Sequence, residues 1–281
     1  RLTPGLLHGT AVITKNTQRR PAMQGITADK EAYIEEKMKQ FKLVDMRNCY
    51  EDIIAEAEEE SLGYMDFLIR LLSVEDEGKK ARRVENLLGR AHFDAASTLG
   101  DIDYSFNPSL DKSRIEELGK LHFLDAKENI IIIGPPGVGK SMIATGIGRN
   151  ACAAGRKVLF VNAKELVDRL YDEMLAGRLQ EVLEQLNRTD LLIIDELSYI
   201  KMDRERESLF FQIIRQRYEK SSLIITTNLP MGRWDELFTG QLAATAILDR
   251  LLHHCHVLSI TGESYRVKGS KQSVNKGKDT E

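Results

Sequence analysis

The chain has 281 residues, 42% of them hydrophobic and 30% charged, with a formal net charge of -3. That apolar content supports a packed core and excludes global disorder, and the length allows one large domain or two small ones. The densest apolar runs, Ile130–Ile133 and Leu191–Ile194, are strand length, so no membrane span is expected. The three cysteines, Cys49, Cys152 and Cys255, are scattered and make neither a disulfide framework nor a zinc signature, which fits a reducing, cytoplasmic setting.

The charge is segregated. From Met23 to Val74 there are twelve acidic against six basic residues, and from Arg266 to Glu281 five basic against two acidic. The balance argues against a globally basic nucleic-acid binder but leaves local basic patches open.

Residues 1–23 show no sustained period and read as a disordered extension, with Met23 as the expected start. From Thr27 the pattern is helical: Tyr33, Ile34, Met38 and Phe41 come first. Leu43, Met46, Tyr50, Ile53 and Ala57 then follow at alternating spacings of three and four, one face of an amphipathic helix. A further helix starts near Ser61 and carries Met65, Leu68, Ile69 and Leu72; a separate basic helix holds Lys79, Lys80, Arg82, Arg83 and Arg90. Residues 24–93 are thus expected to form a small all-helical domain, 94–108 a linker rich in Gly, Pro and Asp, and 269–281 a polar basic tail.

Between them, apolar runs alternate with helical patterns. Strands are expected at Ile130–Ile133, Val158–Val161, Leu191–Ile194, Leu223–Thr227 and Val257–Ile260. Helices are expected near Lys140–Ala154, Ala163–Leu175, Glu205–Glu219 and Ala243–His253. Strands apolar throughout with crossover helices predict an α/β domain over 109–268, a five-stranded parallel sheet between helices.

Gly134-Pro135-Pro136-Gly137-Val138-Gly139-Lys140-Ser141 matches G-x-x-x-x-G-K-[ST] after a strand and at the start of a helix. Backbone N–H groups of such a loop close around phosphate oxygens, the Lys140 ammonium reaches the β/γ-phosphates of ATP, and the Ser141 hydroxyl can ligate Mg²⁺. Asp195, ending an apolar strand, delivers a second Mg²⁺ ligand, and Glu196 beside it can polarise the attacking water. Asn228 faces the γ-phosphate if its strand inserts between the Ile130–Ile133 and Leu191–Ile194 strands; an Asx turn before Pro230 is the other reading.

These motifs, in this order and separated by whole strand–helix units, resemble the AAA+ ATPases. LLIIDELSY at Leu191–Tyr199, IITTNLP at Ile224–Pro230, Trp234–Phe238, AILDRLLHHCH at Ala246–His256 and GESYR at Gly262–Arg266 look more narrowly like the IstB-type transposition helper ATPases, relatives of the DnaC helicase loader. The likeness runs from about Lys39 to Lys268. It implies an arginine finger at Arg250, which would complete a neighbouring subunit's site in a homo-oligomer; on residues alone, a surface Asp249–Arg250 pair would rank higher. It also implies ATP hydrolysis with Mg²⁺, binding of double-stranded DNA with little sequence specificity, and a DDE-type transposase as partner. A DnaC-like helicase loader and a nucleotide-gated binding module with incidental turnover are the competing readings. Arg266 is a candidate for a second nucleotide sensor, though too few residues follow it for the helical lid that usually carries one. Lys79–Arg83 and Lys201, Arg204 and Arg206 are the basic clusters available to DNA, though by themselves each reads as a solvated helix face. In His253-His254-Cys255-His256, adjacent helix residues point in different directions, so a helix end leading into a strand is favoured over a metal site.

Overall fold

The computed structural model describes residues 27–239 and 241–265. The extension over 1–23, the tail over 269–281, and Arg266 lie outside the described residues. The chain divides into two compact units after Gly78.

The first unit holds α1 (Thr27–Gln40), α2 (Val44–Glu59) and the first half of α3 (Tyr64–Ala91). Met38, Met46, Tyr50, Ile53 and Leu71 form its buried core, so the stripe at Met46, Tyr50 and Ile53 is core. Leu43, which precedes α2, has no side chain able to cap it. Instead the buried Glu75 carboxylate on α3 accepts from the Asp45 and Met46 amides at 3.0 and 3.1 Å, satisfying first-turn donors that have no intrahelical partner. The two helices expected around residues 61 and 79 are one 28-residue helix. Residues 73–79 contain no proline, and Gly78 is there because a Cβ would lie 2.0 Å from the Asp45 carboxylate. The close approach offsets the ~1 kcal/mol that glycine costs inside a helix. The division into units therefore falls within α3, upstream of the 94–108 segment.

The second unit is built on five parallel strands: β1 (Asn129–Ile133), β2 (Val158–Asn162), β3 (Leu191–Asp195), β4 (Ser222–Thr227) and β5 (Cys255–Ser259), in the order β2-β3-β4-β1-β5. The central strands β1, β3 and β4 bury both faces, which is why they read as largely apolar runs, while the edge strands β2 and β5 are partly exposed. Ile131, Ile133, Leu192, Ile194, Leu223 and Ile225 pack into one core with residues of α7 (Ala163–Leu175), α8 (Leu179–Asn187), α9 (Arg204–Arg217) and α10 (Gln241–Leu252). The alternate residues Ile130, Ile132, Leu191, Ile193 and Ile224 face a second core with α4 (Lys112–Gly119), α5 (His122–Asp125) and α6 (Lys140–Ala153). Burial of each such side chain contributes ~1.5–3 kcal/mol. The sheet and its crossover helices match the expected α/β class. The periodicity reading did not include α4, α5 and α8. β5 starts at Cys255, two residues ahead of the expected Val257, because Asn129 pairs with Cys255 at the start of the β1–β5 ladder.

Two buried polar residues brace this unit. The Arg217 guanidinium, 1% exposed, donates to the Leu186, Thr189 and Ser222 carbonyls and to Thr189 Oγ1 at 2.7–3.2 Å. Burial lowers its pKa to about 10. Asn129 donates from Nδ2 to the Leu251 carbonyl at 3.2 Å and accepts at Oδ1 from the Leu223 amide at 3.0 Å, tying the start of β1 to α10 and β4.

Candidate functional site

The chain leaves β1 at Ile133 and turns through Gly134–Gly139 into α6. Gly137 and Gly139 have φ of +79° and +97°, a region that favours glycine, and the second sits immediately before the first helical residue, Lys140. The loop's amides therefore gather at a helix N-terminus, where the partial positive charge of the backbone favours an anion.

Three parallel strands deliver their C-terminal residues to this loop. β4 lies between β3 and β1, as the placement of Asn228 requires. The buried Lys140 Nζ donates to the Gly134 and Pro135 carbonyls, both at 2.8 Å, and to Asn228 Oδ1. Ser141 Oγ donates to Asp195 Oδ2 at 2.8 Å, with Oδ1 at 3.0 Å. The fully buried Thr226 donates its hydroxyl to Asp195 Oδ1, and the same hydroxyl oxygen accepts from the Glu196 amide at 3.0 Å. Glu196 has a left-handed backbone, φ +59°, which turns the chain sharply out of β3. Its side chain is exposed, and Oε2 accepts from Asn162 Nδ2 at 3.1 Å. Asn162 Oδ1 in turn caps α7 by accepting from the Lys164 amide at 2.9 Å. Ser198 Oγ accepts from the Asn228 amide and shares a hydrogen bond with Thr227 Oγ1 at 2.9 Å, fixing the end of β4.

Beside the loop opens a cleft of about 370 Å³. Its floor includes Pro136–Ser141, Glu196 and Asn228, and its apolar wall includes Ile102, Phe106, Leu110 and Tyr265. Phe106 and Tyr265 meet edge to face, 4.7 Å between ring centroids. The Tyr265 amide donates to the Gly137 carbonyl at 2.9 Å, so the Gly262–Tyr265 segment is fastened to the phosphate-type loop. Part of the 94–108 stretch, expected as a linker, thus lines the cleft.

The structure brings Gly134–Ser141, Asp195, Glu196 and Asn228 together and leaves Arg250 apart. Arg250 stands near the end of α10, just before β5 begins; the loop follows β1 at the opposite end of the paired strands. A five-residue strand separates those ends by ~16 Å. Arg250 Nη1 donates to the Ala246 carbonyl at 2.9 Å, and the guanidinium stacks on Phe211, 4.9 Å from the ring centroid. Sequence reasoning missed Asn162, Thr226 and the Phe106–Tyr265 pair. Register could have found the first: Asn162 ends β2 as Asp195 ends β3, and the two are direct neighbours in the ladder.

Converging hydroxyl and carboxylate oxygens at Ser141 and Asp195 form a donor set of the kind Mg²⁺ takes, and the buried ammonium with the loop amides suits a polyphosphate. Comparison with known proteins agrees on ATP binding. The model of the IstB-like ATP binding protein family matches residues 36–273. The chain is 38% identical over 240 residues to the insertion sequence IS21 ATP-binding protein of Pseudomonas aeruginosa, covering 85% of this chain and 91% of the relative. It is 39% identical over 219 residues to the insertion sequence IS5376 ATP-binding protein of Geobacillus stearothermophilus, covering 78% and 87%. In fold it is similar to the DnaC helicase loader, with a TM-score of 0.50 at 21% identity over 58% of this chain and 96% of that one. It is also similar to DnaA from Aquifex aeolicus, with a TM-score of 0.52 at 18% identity over 66% and 56%. The chain belongs to the IstB-like ATP binding protein family, and it is an ATPase with the AAA+ fold.

Proposed function

We propose that the chain couples Mg²⁺-dependent ATP hydrolysis to assembly on target duplex DNA, which it presents to a partner transposase of the DDE type. The observation that carries the catalytic part is the convergence of Lys140, Ser141, Asp195, Glu196 and Asn228 at the ends of β1, β3 and β4.

In this reading the amides of Gly134–Gly139 and the Lys140 ammonium hold the β- and γ-phosphates, and Ser141 and Asp195 hold Mg²⁺. Bound there, the ion neutralises charge on the phosphate oxygens. Glu196 orients and polarises the attacking water; the Asn162 amide holds its carboxylate in the resting site. Asn228 faces the γ-phosphate and exchanges its Lys140 contact for the nucleotide. The cleft wall of Ile102, Leu110, Phe106 and Tyr265 accepts a purine base by apolar and edge-to-face contact. Arg250, remote from its own loop, serves the site of a neighbouring copy, so hydrolysis depends on self-association.

The insertion-sequence relatives support a setting in transposition; the DNA and transposase assignments follow from the resemblance to the IstB-type helper ATPases. Residues 24–93 act as the adaptor, 94–108 joins it to the ATPase domain over 109–268, and basic clusters repeated along an oligomer supply phosphate contacts. Among the described residues no helix is long and apolar enough to cross a membrane.

The test is fluorescence anisotropy of the full chain on labelled duplex and single-stranded DNA with ATP–Mg²⁺, ADP or no nucleotide. ATP-dependent duplex binding that strengthens with DNA length is expected. Preference for single strands would replace this reading with a helicase loader. Glu196→Gln should bind ATP and DNA but not turn over; if it also delivers DNA to the transposase normally, hydrolysis is incidental and the chain is a nucleotide-gated binding module.

A further inference from the structure

At the other end of the sheet, the turns that open β4 and β5 lie either side of the start of β1. α10 ends at Leu252 and β5 begins at Cys255, so His253 and His254 occupy a turn. Both rings can therefore face one way, which a helix would not allow. Their centroids are 4.2 Å apart at an interplanar angle of 67°. Glu219, in the turn before β4 with φ +57°, brings Oε1 to 4.0 Å from His253 Nδ1 and 3.9 Å from His254 Nε2. One donor atom from each of the three side chains fits within a 4.8 Å span, and all three side chains are exposed to solvent.

We propose that Glu219, His253 and His254 bind a divalent transition-metal ion of the zinc class. Two imidazoles and one carboxylate are a borderline donor set that selects Zn²⁺ and its neighbours over Mg²⁺ and Ca²⁺. Metal–ligand bonds of ~2.0–2.2 Å set tetrahedral donors ~3.3–3.6 Å apart, so donors within 4.8 Å of one another need to close by at most about 1.5 Å. Exposed side chains do that by small rotations. The scaffold beneath is fixed: the Asn129 amide donates to the His254 carbonyl at 2.8 Å, while its side chain holds Leu251 and Leu223. The other candidates in the His-rich run are committed elsewhere. His256 lies between Arg114 Nη2 at 2.7 Å and Glu128 Oε2 at 2.6 Å, and Cys255 Sγ points to the His256 carbonyl at 3.6 Å. Tyr218 Oη, 3.0 Å from His253 Nδ1, is the hydrogen-bond partner that the ion displaces. The ion clips together the turns entering β4 and β5, apart from the nucleotide loop at the strands' other ends.

The test is Zn²⁺ titration of the tag-free full chain without nucleotide, by calorimetry and thermal unfolding. One ion per chain and a saturable rise in Tm are expected. Glu219→Gln, His253→Ala and His254→Ala should each weaken binding at least tenfold, since even indirect partners of a metal are worth ~10–100-fold. His256→Gln and Cys255→Ala should leave it unchanged, and Tyr218→Phe should keep or tighten it. Absence of stoichiometric Zn²⁺ binding, or binding unchanged in the His253→Ala/His254→Ala double variant, would overturn the site.

Discussion

Thr226→Val isolates the hydroxyl that joins Asp195 to Glu196. Valine keeps the volume and the β-branch in a fully buried strand position, so packing is conserved. What disappears is a hydrogen bond to the Asp195 carboxylate and the acceptor for the Glu196 amide. A hydrogen bond to a charged group contributes ~1.5–3 kcal/mol, and an amide left without an acceptor costs a further ~1–3 kcal/mol. One hydroxyl serves both, and Ser141 still donates to Asp195, so the two do not add fully; a loss of about 3 kcal/mol is the working figure. For a unit of this size that is a fall in Tm of about 6–12 °C. Activity should fall more steeply than ATP affinity, because the substitution frees the left-handed turn that aims Glu196 while leaving Gly134–Ser141 intact. Thermal unfolding with steady-state ATPase kinetics measures both, and Thr226→Ser, which restores the hydroxyl, is the control. A valine variant within about 2 °C of the parent and with unchanged kcat would refute the bridging role, since the buried groups would then have found other partners.

Three more outcomes follow from the same geometry. Arg217→Met removes a buried guanidinium that serves three carbonyls and should destabilise the second unit by about 3–5 kcal/mol, read from urea unfolding. Arg250→Ala should lower turnover by ~10³-fold or more without weakening ATP binding, and mixing it with Lys140→Ala should restore activity that neither has alone; no recovery on mixing would place Arg250 outside the neighbour's site. The buried Cys152 thiol is pushed up to about 11 by desolvation, above its ordinary 9.0. Its folded form holds a proton that the unfolded form loses, so its contribution is complete below pH 9 and lost as pH rises towards 11, at ~1.4 kcal/mol per unit at most. Urea unfolding between pH 8 and 10.5 should show a shallower decline in Cys152→Ala than in the parent.

The α/β architecture was legible because the central strands β1, β3 and β4 are buried on both faces. Runs such as Ile130–Ile133 and Leu191–Ile194 have no polar face to obscure them, and each ends in a residue whose chemistry is recognisable. Asp195, Glu196 and the Gly134–Ser141 loop could be read for that reason. Asn162 and Thr226 could not. A strand-end asparagine and a strand threonine are ordinary in sequence, and their roles come from ladder register and the β2-β3-β4-β1-β5 order. The short helices α4 and α5 were missed for a different reason, since helices of eight and four residues carry too few periods to register. The continuous α3, which crosses from the first unit into the second, was read as two because its residue pattern changes from apolar to basic. Helix continuity depends on the backbone, and nothing at residues 73–79 interrupts it.

The separation of Arg250 from its own loop gives the two ends of the sheet different roles. Parallel strands put all their C-terminal residues on one edge, so a single chain gathers the ammonium, carboxylates and amide that a nucleotide needs. The crossover helices run back the other way. A cation near the end of α10 is therefore carried to the edge where β5 starts, and folding within one chain cannot return it to the loop. If that cation takes part in hydrolysis, a second copy must supply the missing proximity, and turnover rises with whatever brings copies side by side. A DNA duplex long enough to seat several subunits would do that. Length-dependent stimulation of the ATPase by duplex DNA, abolished by Arg250→Ala, follows from the direction of the strands.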